Sequence, residues 1–297
     1  MQMMTRFGEI MWNHKETAGG GISVWNFKLG AVEWACPFGG PSGMKIAAEL
    51  GLSGIELNFG EYEDGYPLYN PRIRKAYLES KERYGIEFPS MALNALNTHG
   101  MCHGRDSLDG MIAYETIEKG IETAIAMDIP VVQLPSFDNG YIRDDKDFYN
   151  VCEKLKFACE VSQGTELIIA FENVLDAEKT KAMIREVNSP RIKVFFDTQN
   201  YYLFSGLNPA ETLEAIAPEV VQVHIKDGYN GRISSALLGH GDTSFMETAN
   251  VIKKTKCTQW LLLENYYAVM PTRNIHRDYF DIMKRDIETA KRVFDIS

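Results

Sequence analysis

The chain has 297 residues, of which 45% are hydrophobic and 24% are charged. This composition is typical of a globular protein with a sizeable core, and the length suits one large α/β barrel or two ordinary domains. Asp and Glu outnumber Lys and Arg by 41 to 31, for a formal charge of −10. Because binding to phosphate backbones and anionic lipids relies on clustered Lys and Arg, this balance argues against nucleic-acid and membrane partners.

Targeting signals and cysteine patterns are also missing from the sequence. No apolar run approaches the roughly 18 residues needed to span a bilayer, and the first residues lack the basic start and apolar centre of a signal peptide. A cytoplasmic location is therefore the expectation. The five cysteines are scattered and odd in number, so they predict neither a disulfide framework nor a cysteine zinc site.

In chain order, the sequence alternates between apolar strands and amphipathic helices. After a preamble at 1–28, predicted strands lie at 29–34, 54–59, 86–94, 130–134, 167–172, 192–197, 220–226 and 260–264. Among the helices between and after them, one is predicted over 42–50, one over 108–127 and the last over 274–294. Helix starts are marked by Asn70-Pro71, Asp176, Asn208-Pro209 and a capping-box pattern from Ser244 to Glu247. The connection after the seventh strand is predicted to be a long loop.

Eight strand and helix pairs at a spacing of roughly 30 residues match a (β/α)8 TIM barrel, whose usual size is about 250 residues. Residues 29–297 are therefore predicted to form a single TIM-barrel domain of the α/β class, with 1–28 as an N-terminal extension. Mostly continuous apolar strands support this prediction, because the strands of a parallel sheet are covered on both faces. An open doubly wound sheet is the alternative, but no GxGxxG follows the first strand.

The last four strands end in residues that can bind a metal or move a proton. These residues are Glu172, Asp197, His224 and Glu264. In a barrel the loops after the strands all open on one face, so the four side chains are expected to converge there. Taken singly, a strand-end carboxylate usually caps a helix or pairs with a basic residue. Four on successive strands favour a functional site, because clustered ionisable groups mark function.

With His224 neutral, the set carries three negative charges, and the carboxylates would repel one another unless a divalent cation neutralised them. The oxygen-rich set suits one divalent metal ion, with Mn²⁺ preferred and Mg²⁺, Co²⁺ or Zn²⁺ as alternatives. Lys226 and Asp227 follow closely after His224 and are predicted either to support the ligands or to hold substrate. Glu56 and Gln133 fall at strand positions that can face the same site.

Around these strand ends the sequence resembles the xylose-isomerase-like superfamily of sugar isomerases and epimerases. The resemblance covers nearly all of residues 29–290. Its most specific parts are Phe171-Glu172-Asn173, Phe196-Asp197-Thr198-Gln199-Asn200, Val223-His224-Ile225-Lys226-Asp227, the run from Leu238 to Phe245, and Leu263-Glu264. Within the superfamily, the pattern is most similar to L-xylulose 5-phosphate 3-epimerase and the ketose 3-epimerases.

The resemblance implies that all four strand-end residues bind one divalent metal and that Glu172 and Glu264 also act as acid and base. It implies an isomerase of sugars or sugar phosphates, most specifically a ketose 3-epimerase, that removes a proton next to a carbonyl and passes through an enediolate. Homo-oligomers are common among such barrels, so a homo-oligomer is the expectation. The predicted substrate-binding residues are Asn200, Lys226, Arg232, Gln133 and His99.

Three alternatives follow from the same residues. A lyase or dehydratase could start from the same enediolate and expel a β-leaving group. A non-catalytic sugar-binding barrel would need no second base, so the presence of both Glu172 and Glu264 argues against it. Endonuclease IV shares the superfamily fold, but its trinuclear zinc site needs further histidines, including one at the position of Asn200. With six histidines and a charge of −10, this chain fits that class poorly.

Overall fold

The computed structural model describes residues 25–268 and 278–297, and in them eight parallel strands close into a barrel. The strands of the barrel are β1 (Lys28–Val32), β2 (Gly54–Asn58), β3 (Met91–Ala92), β4 (Val131–Pro135), β5 (Ile168–Glu172), β6 (Ile192–Asp197), β7 (Val220–Ile225) and β10 (Trp260–Leu263). Two further strands, β8 (Asp227–Tyr229) and β9 (Arg232–Ala236), form an antiparallel hairpin. Around the barrel the order is β1-β10-β7-β6-β5-β4-β3-β2, and β2 pairs with β1. The predicted (β/α)8 barrel is confirmed.

Helices follow these strands in the chain, and the longer of them cover the outside of the barrel. They are α1 (Gly40–Glu49), α2 (Pro71–Tyr84), α3 (Ala95–Thr98), α4 (Leu108–Ala126), α5 (Asp145–Val161), α6 (Ala177–Val187), α7 (Asn200–Ser205), α8 (Pro209–Ile216), α9 (Phe245–Thr255) and α10 (Tyr279–Phe294). In the ranges given above, no helix combines the length and the apolar character that a bilayer crossing needs. Most of the predicted extension at 1–28, and the first residues of the last predicted helix, lie outside the described residues.

The barrel has two apolar layers because side chains alternate between its two faces. A small cluster fills the inside of the barrel, and it includes Val32, Val131, Ala170, Phe195 and Leu262. A much larger cluster lies between the strands and the helices. At the bottom of the interior the strands approach closely: a Cβ atom on Gly30 would lie 2.7 Å from the carbonyl oxygen of Gly54. The inward positions near the carboxyl ends are polar, and they form the site.

Three of the predicted helix starts are confirmed. The side chains of Asn70, Asp176 and Asn208 each accept a hydrogen bond from a backbone N–H in the first turn of the helix that follows. Pro71 and Pro209 take the first helical positions, where the missing N–H costs nothing. These local signals therefore set the bounds of α2, α6 and α8.

Helix α9 begins after Ser244, as predicted, but without the predicted capping hydrogen bond. Ser244 precedes the helix with a φ of 58°, in the left-handed region, and its side chain makes no capping hydrogen bond. An N-cap hydroxyl reaches the first-turn N–H groups from an extended backbone, which Ser244 lacks. The predicted capping box from Ser244 to Glu247 is wrong.

The third strand is much shorter than the predicted 86–94. Pro89 has no N–H to give to a neighbouring strand, so the regular pairing is limited to Met91–Ala92. Before the proline, Glu87 still forms an isolated bridge to Gly54. The segment therefore follows the barrel wall but pairs regularly over two residues only.

The long loop predicted after the seventh strand is wrong in part, because it contains the β8–β9 hairpin. Asn230 and Gly231 connect the two strands, and both have positive φ angles, of 55° and 65°. An Asn-Gly pair is a strong local signal for a hairpin turn. The carboxylate of Asp227 then holds the rest of the loop, since it accepts hydrogen bonds from the N–H groups of Gly239 and Gly241, both at 2.9 Å.

Replacing Asn208 by Ala should lower the free energy of unfolding by about 1 kcal/mol, because the first turn of α8 loses its hydrogen-bond acceptor. Replacing Ser244 by Ala removes no capping bond and should change the free energy of unfolding by less than about 0.5 kcal/mol. Urea unfolding of both variants beside the wild type measures the difference. Equal losses in the two variants would contradict this assignment of caps.

Candidate active site

All four residues predicted to bind a metal meet at the carboxyl end of the barrel. Glu172 and Asp197 are the last residues of β5 and β6, His224 lies one residue before the end of β7, and Glu264 directly follows β10. All four are buried, and one ligand atom from each lies within 4.8 Å of the others. Ligand atoms on one ion lie at most about 4.2–4.4 Å apart, so the cluster is close to the span of a coordination shell.

Two atoms of this cluster support its use as a metal site. Within the described parts of the chain, Asp197 Oδ2 and His224 Nδ1 are buried and make no hydrogen bond of good geometry; each has an ion-pair neighbour at 3.1 Å, Lys226 Nζ and Glu264 Oε2 respectively. Buried polar atoms are usually hydrogen-bonded, so these two are available to a metal ion. Together with the two glutamates they offer three oxygen ligands and one nitrogen ligand, a set that suits Mn²⁺, Mg²⁺, Co²⁺ or Zn²⁺. The residues present therefore fit one divalent cation.

Glu172 is held by two neutral amides. Its Oε1 accepts a hydrogen bond of 3.1 Å from Asn200 Nδ2, and its Oε2 accepts one from Gln133 Nε2. Both amides come from residues predicted to bind substrate. In the structure both amides hydrogen-bond to the carboxylate of Glu172, and both residues also line the pocket above it.

Glu264 has a different environment. Trp34 Nε1 donates to its Oε1 at 3.0 Å, and Lys226 Nζ donates to its Oε2 at 2.7 Å. The same ammonium lies 3.1 Å from Asp197 Oδ2. Lys226 is predicted from the sequence either to support the ligands or to hold substrate; it contacts both carboxylates and also lines the pocket, and its role in substrate binding stays a prediction. Trp34 was missed, although it ends the first predicted strand.

Burial and charge act against each other on the ionisable groups of the cluster. Burial raises the pKa of Asp197 to about 7, even though Lys226 opposes the shift. At Glu264 burial would also raise the pKa, but the charges of Lys226 and His224 outweigh it and hold that pKa below its usual range. Asp197 therefore holds its proton more tightly than a free carboxyl group does when no metal is present, and a metal ion would compete with that proton.

His224 is fixed from three sides. Its Nε2 lies 2.6 Å from Glu56 Oε2, and both side chains are fully buried. The ring of Phe195 lies 4.3 Å from the imidazole, centroid to centroid, and the indole of Trp34 lies 5.9 Å away, edge-on. The sequence predicts that Glu56 lies at a strand position facing the site, and the structure adds its partner, His224.

A pocket of about 180 Å³ opens above the cluster. That volume is below the range of about 300–1,000 Å³ typical of drug-sized ligands, so it suits a small molecule. Its wall combines aromatic rings with side-chain amides, a mixture that can contact both the faces and the hydroxyl groups of a sugar. The lining includes Trp34, Asn94, Asn97, Gln133, Phe137, Asn200, Phe204, Lys226 and Tyr266.

Two residues predicted to bind substrate lie elsewhere. Arg232 is exposed at the start of β9, where its carbonyl oxygen accepts a hydrogen bond from Gln199 Nε2. His99 is buried, and its ring nitrogens lie 2.8 Å from Asp109 Oδ1 and 2.9 Å from Glu63 Oε1. Neither residue is part of the described pocket lining. Their role in substrate binding stays a prediction.

A closed parallel barrel with a buried metal-ligand set at its strand ends defines a TIM-barrel protein with a candidate metal centre. Residues 44–292 match the family described as "Xylose isomerase-like TIM barrel", and the chain belongs to this family. The resemblance predicted from the sequence is confirmed.

Relatives of known name agree with this membership. The chain is 26% identical over 242 residues to 2-epi-5-epi-valiolone 7-phosphate 2-epimerase of an Actinoplanes species, covering 81% of this chain and 87% of that protein. It is 24% identical over 254 residues to a putative L-ribulose-5-phosphate 3-epimerase of Haemophilus influenzae, covering 80% and 88%. The predicted class, an isomerase acting on carbohydrates, agrees with both names.

A solved structure shares the fold. D-allulose 3-epimerase of a Methylomonas species, in complex with D-allulose, superposes with a TM-score of 0.69 at 15% identity. The alignment covers 91% of this chain and 98% of that one.

Replacing Asp197 by Asn should weaken binding of Mn²⁺ by at least about 100-fold, since even outer partners of a metal site are worth 10- to 100-fold. Asn keeps an oxygen for the N–H groups of Gln199 and Asn200, which bond to Asp197 Oδ1. Titration calorimetry on metal-depleted protein measures the change. Asp138 lines the same pocket outside the ligand set, so Asp138→Asn is the matched control and should bind Mn²⁺ as the wild type does. Similar losses in both variants would argue against Asp197 as a ligand.

Proposed function

We propose that the protein is a metal-dependent epimerase of sugars or sugar phosphates, most specifically a ketose 3-epimerase. One observation carries the proposal: two buried glutamates converge on a single small pocket from the two ends of the ligand set. In the barrel, β5 and β10 flank β6 and β7, so Glu172 and Glu264 stand on either side of Asp197 and His224. Two bases facing one substrate from different sides are what inversion of a carbon centre requires.

The metal would be held by Glu172, Asp197, His224 and Glu264, with Mn²⁺ as the preferred ion. When bound, it would supply a Lewis acid that stabilises the negative charge of the enediolate. Manganese stays a prediction, because the ligand set suits several divalent ions equally well.

The remaining chemistry belongs to the side chains. One glutamate takes the proton from the carbon next to the carbonyl, and the other returns a proton to the opposite face. Asn200 and Gln133 orient the carboxylate of Glu172, while Trp34 and Lys226 orient that of Glu264. Geometry of this kind matters because a small misplacement of a catalytic group costs a large factor in rate.

Relatives support the choice of substrate class. The Actinoplanes and Haemophilus proteins are named as epimerases of phosphorylated substrates, and the Methylomonas enzyme is in complex with D-allulose. The amide and aromatic wall of the pocket is compatible with either class. A ketose or a ketose phosphate is therefore the proposed substrate.

Incubating the metal-depleted and the Mn²⁺-restored protein with free ketoses and ketose phosphates in deuterated water tests the proposal. The expected result is deuterium at C3 together with a new diastereomer, and only in the restored protein. NMR and mass spectrometry read the position of the label. Label at C1 or C2 with an aldose would indicate an isomerase instead, and label with loss of water would indicate a lyase. An absence of exchange on every sugar would reject proton abstraction from this substrate class.

Separate replacement of Glu172 and Glu264 by Gln should each reduce formation of the new diastereomer by at least about 100-fold, because each variant loses one of the two proton carriers. Both residues are also proposed ligands, so the assay is run at saturating Mn²⁺ with the bound metal measured. Glu87→Gln, at an exposed ion pair with Lys28 at the other end of the barrel, is the control and should keep full activity. A metal-loaded Glu264→Gln variant with full epimerisation would rule out the two-base scheme.

A further inference from the structure

Glu56 is a fully buried carboxylate that makes one strong contact. It lies on β2, and its side chain crosses the barrel interior to His224 on β7, 168 positions away in the sequence. Its Oε2 lies 2.6 Å from His224 Nε2, while Oε1 makes no hydrogen bond within the described residues. A buried carboxylate with so few partners is costly. Its one hydrogen-bond partner among the described residues, His224, belongs to the metal-ligand set.

The contact determines which nitrogen of the imidazole faces the ligand set. Nε2 points to Glu56, and Nδ1 lies 3.1 Å from Glu264 Oε2 and 3.7 Å from Glu172 Oε1. An ionised carboxylate can only accept a hydrogen bond, so the neutral imidazole that pairs with Glu56 carries its proton on Nε2. That tautomer leaves the lone pair of Nδ1 free, on the side where a metal would bind.

We infer that Glu56 is a positioning residue for the metal: it holds His224 in the tautomer with the proton on Nε2 and so sets the affinity of the site. The inference rests on the metal site of the proposed function. A carboxylate behind a metal-binding imidazole fixes the orientation of the ring and makes its free nitrogen a better ligand. Phe195 and Trp34 restrict the same ring by packing, but neither can select a tautomer.

Replacing Glu56 by Gln keeps the shape of the side chain and removes its charge. The amide can also donate to Nε2, which favours the opposite tautomer with the proton on Nδ1. Mn²⁺ binding, measured by calorimetry, should weaken 10- to 100-fold. Glu33→Gln is the matched control: Glu33 accepts hydrogen bonds from the N–H groups of Gly40 and Asn58 and from the hydroxyl of Tyr77, outside the ligand set. It should keep the wild-type Mn²⁺ affinity within about twofold.

A second measurement needs no variant and reads the tautomer directly. In zinc-loaded wild-type protein with ¹⁵N-labelled histidine rings, one imidazole should respond to removal of the metal, since one of the six histidines belongs to the ligand set. The ring ¹⁵N spectrum should show that imidazole protonated on Nε2 and metal-bound through Nδ1. A metal bond through Nε2, or a Glu56→Gln variant with unchanged Mn²⁺ affinity, would overturn the inference.

The outcomes separate this inference from the proposed function. Wild-type protein that binds Mn²⁺ and exchanges no ketose proton would reject the function and leave the role of Glu56 intact. Normal exchange of the ketose proton by the wild type, together with an unchanged Mn²⁺ affinity in Glu56→Gln, would leave the proposed function intact and reject the role of Glu56. A wild-type protein that binds no divalent ion would overturn both.

Discussion

Repulsion among the buried carboxylates of Glu172, Asp197 and Glu264 is the constraint on which the rest of the site depends. A buried carboxylate is costly unless it is paired or hydrogen-bonded. Two amides meet this need at Glu172, backbone N–H groups meet it at Asp197, and an indole and an ammonium meet it at Glu264. These partners come from four different strands or strand-following segments, at β1, β4, β6 and β7, and a divalent cation would complete the neutralisation. Closure of the barrel thus brings these hydrogen-bond donors and the carboxylates together at one end.

The two glutamates differ in a way that suits acid and base work. Neutral amides surround Glu172, whereas Lys226 and His224 hold the pKa of Glu264 below its usual range. Enzymes often assign proton-transfer roles by giving similar groups unlike surroundings. Lys226 contributes to this difference, because it contacts Glu264 and Asp197 and makes no contact of hydrogen-bond length with Glu172 among the described interactions.

Neighbouring residues after β7 serve the site in two ways. Lys226 enters the carboxylate cluster, whereas Asp227 turns toward the following loop. There its carboxylate accepts hydrogen bonds from three backbone N–H groups and from the hydroxyl of Thr243. Gly241 matters for this reason, since a Cβ there would lie 2.0 Å from the Asp227 carboxylate, whereas Gly239 has a φ of 79°, which favours glycine. The close packing of the loop against the strand end thus depends on both glycines.

The sequence by itself determined the barrel, because strand-length apolar runs are local patterns. It also determined the convergence of the four side chains, because closure of the barrel brings the ends of all its strands to one face. It also held a turn signal, Asn230-Gly231, that marks the hairpin. Only the tertiary structure decided the partners. Trp34 reaches Glu264 across 230 positions and Glu56 reaches His224 across 168. Such contacts depend on the register and tilt of strands around a closed sheet, which no local pattern of residues encodes.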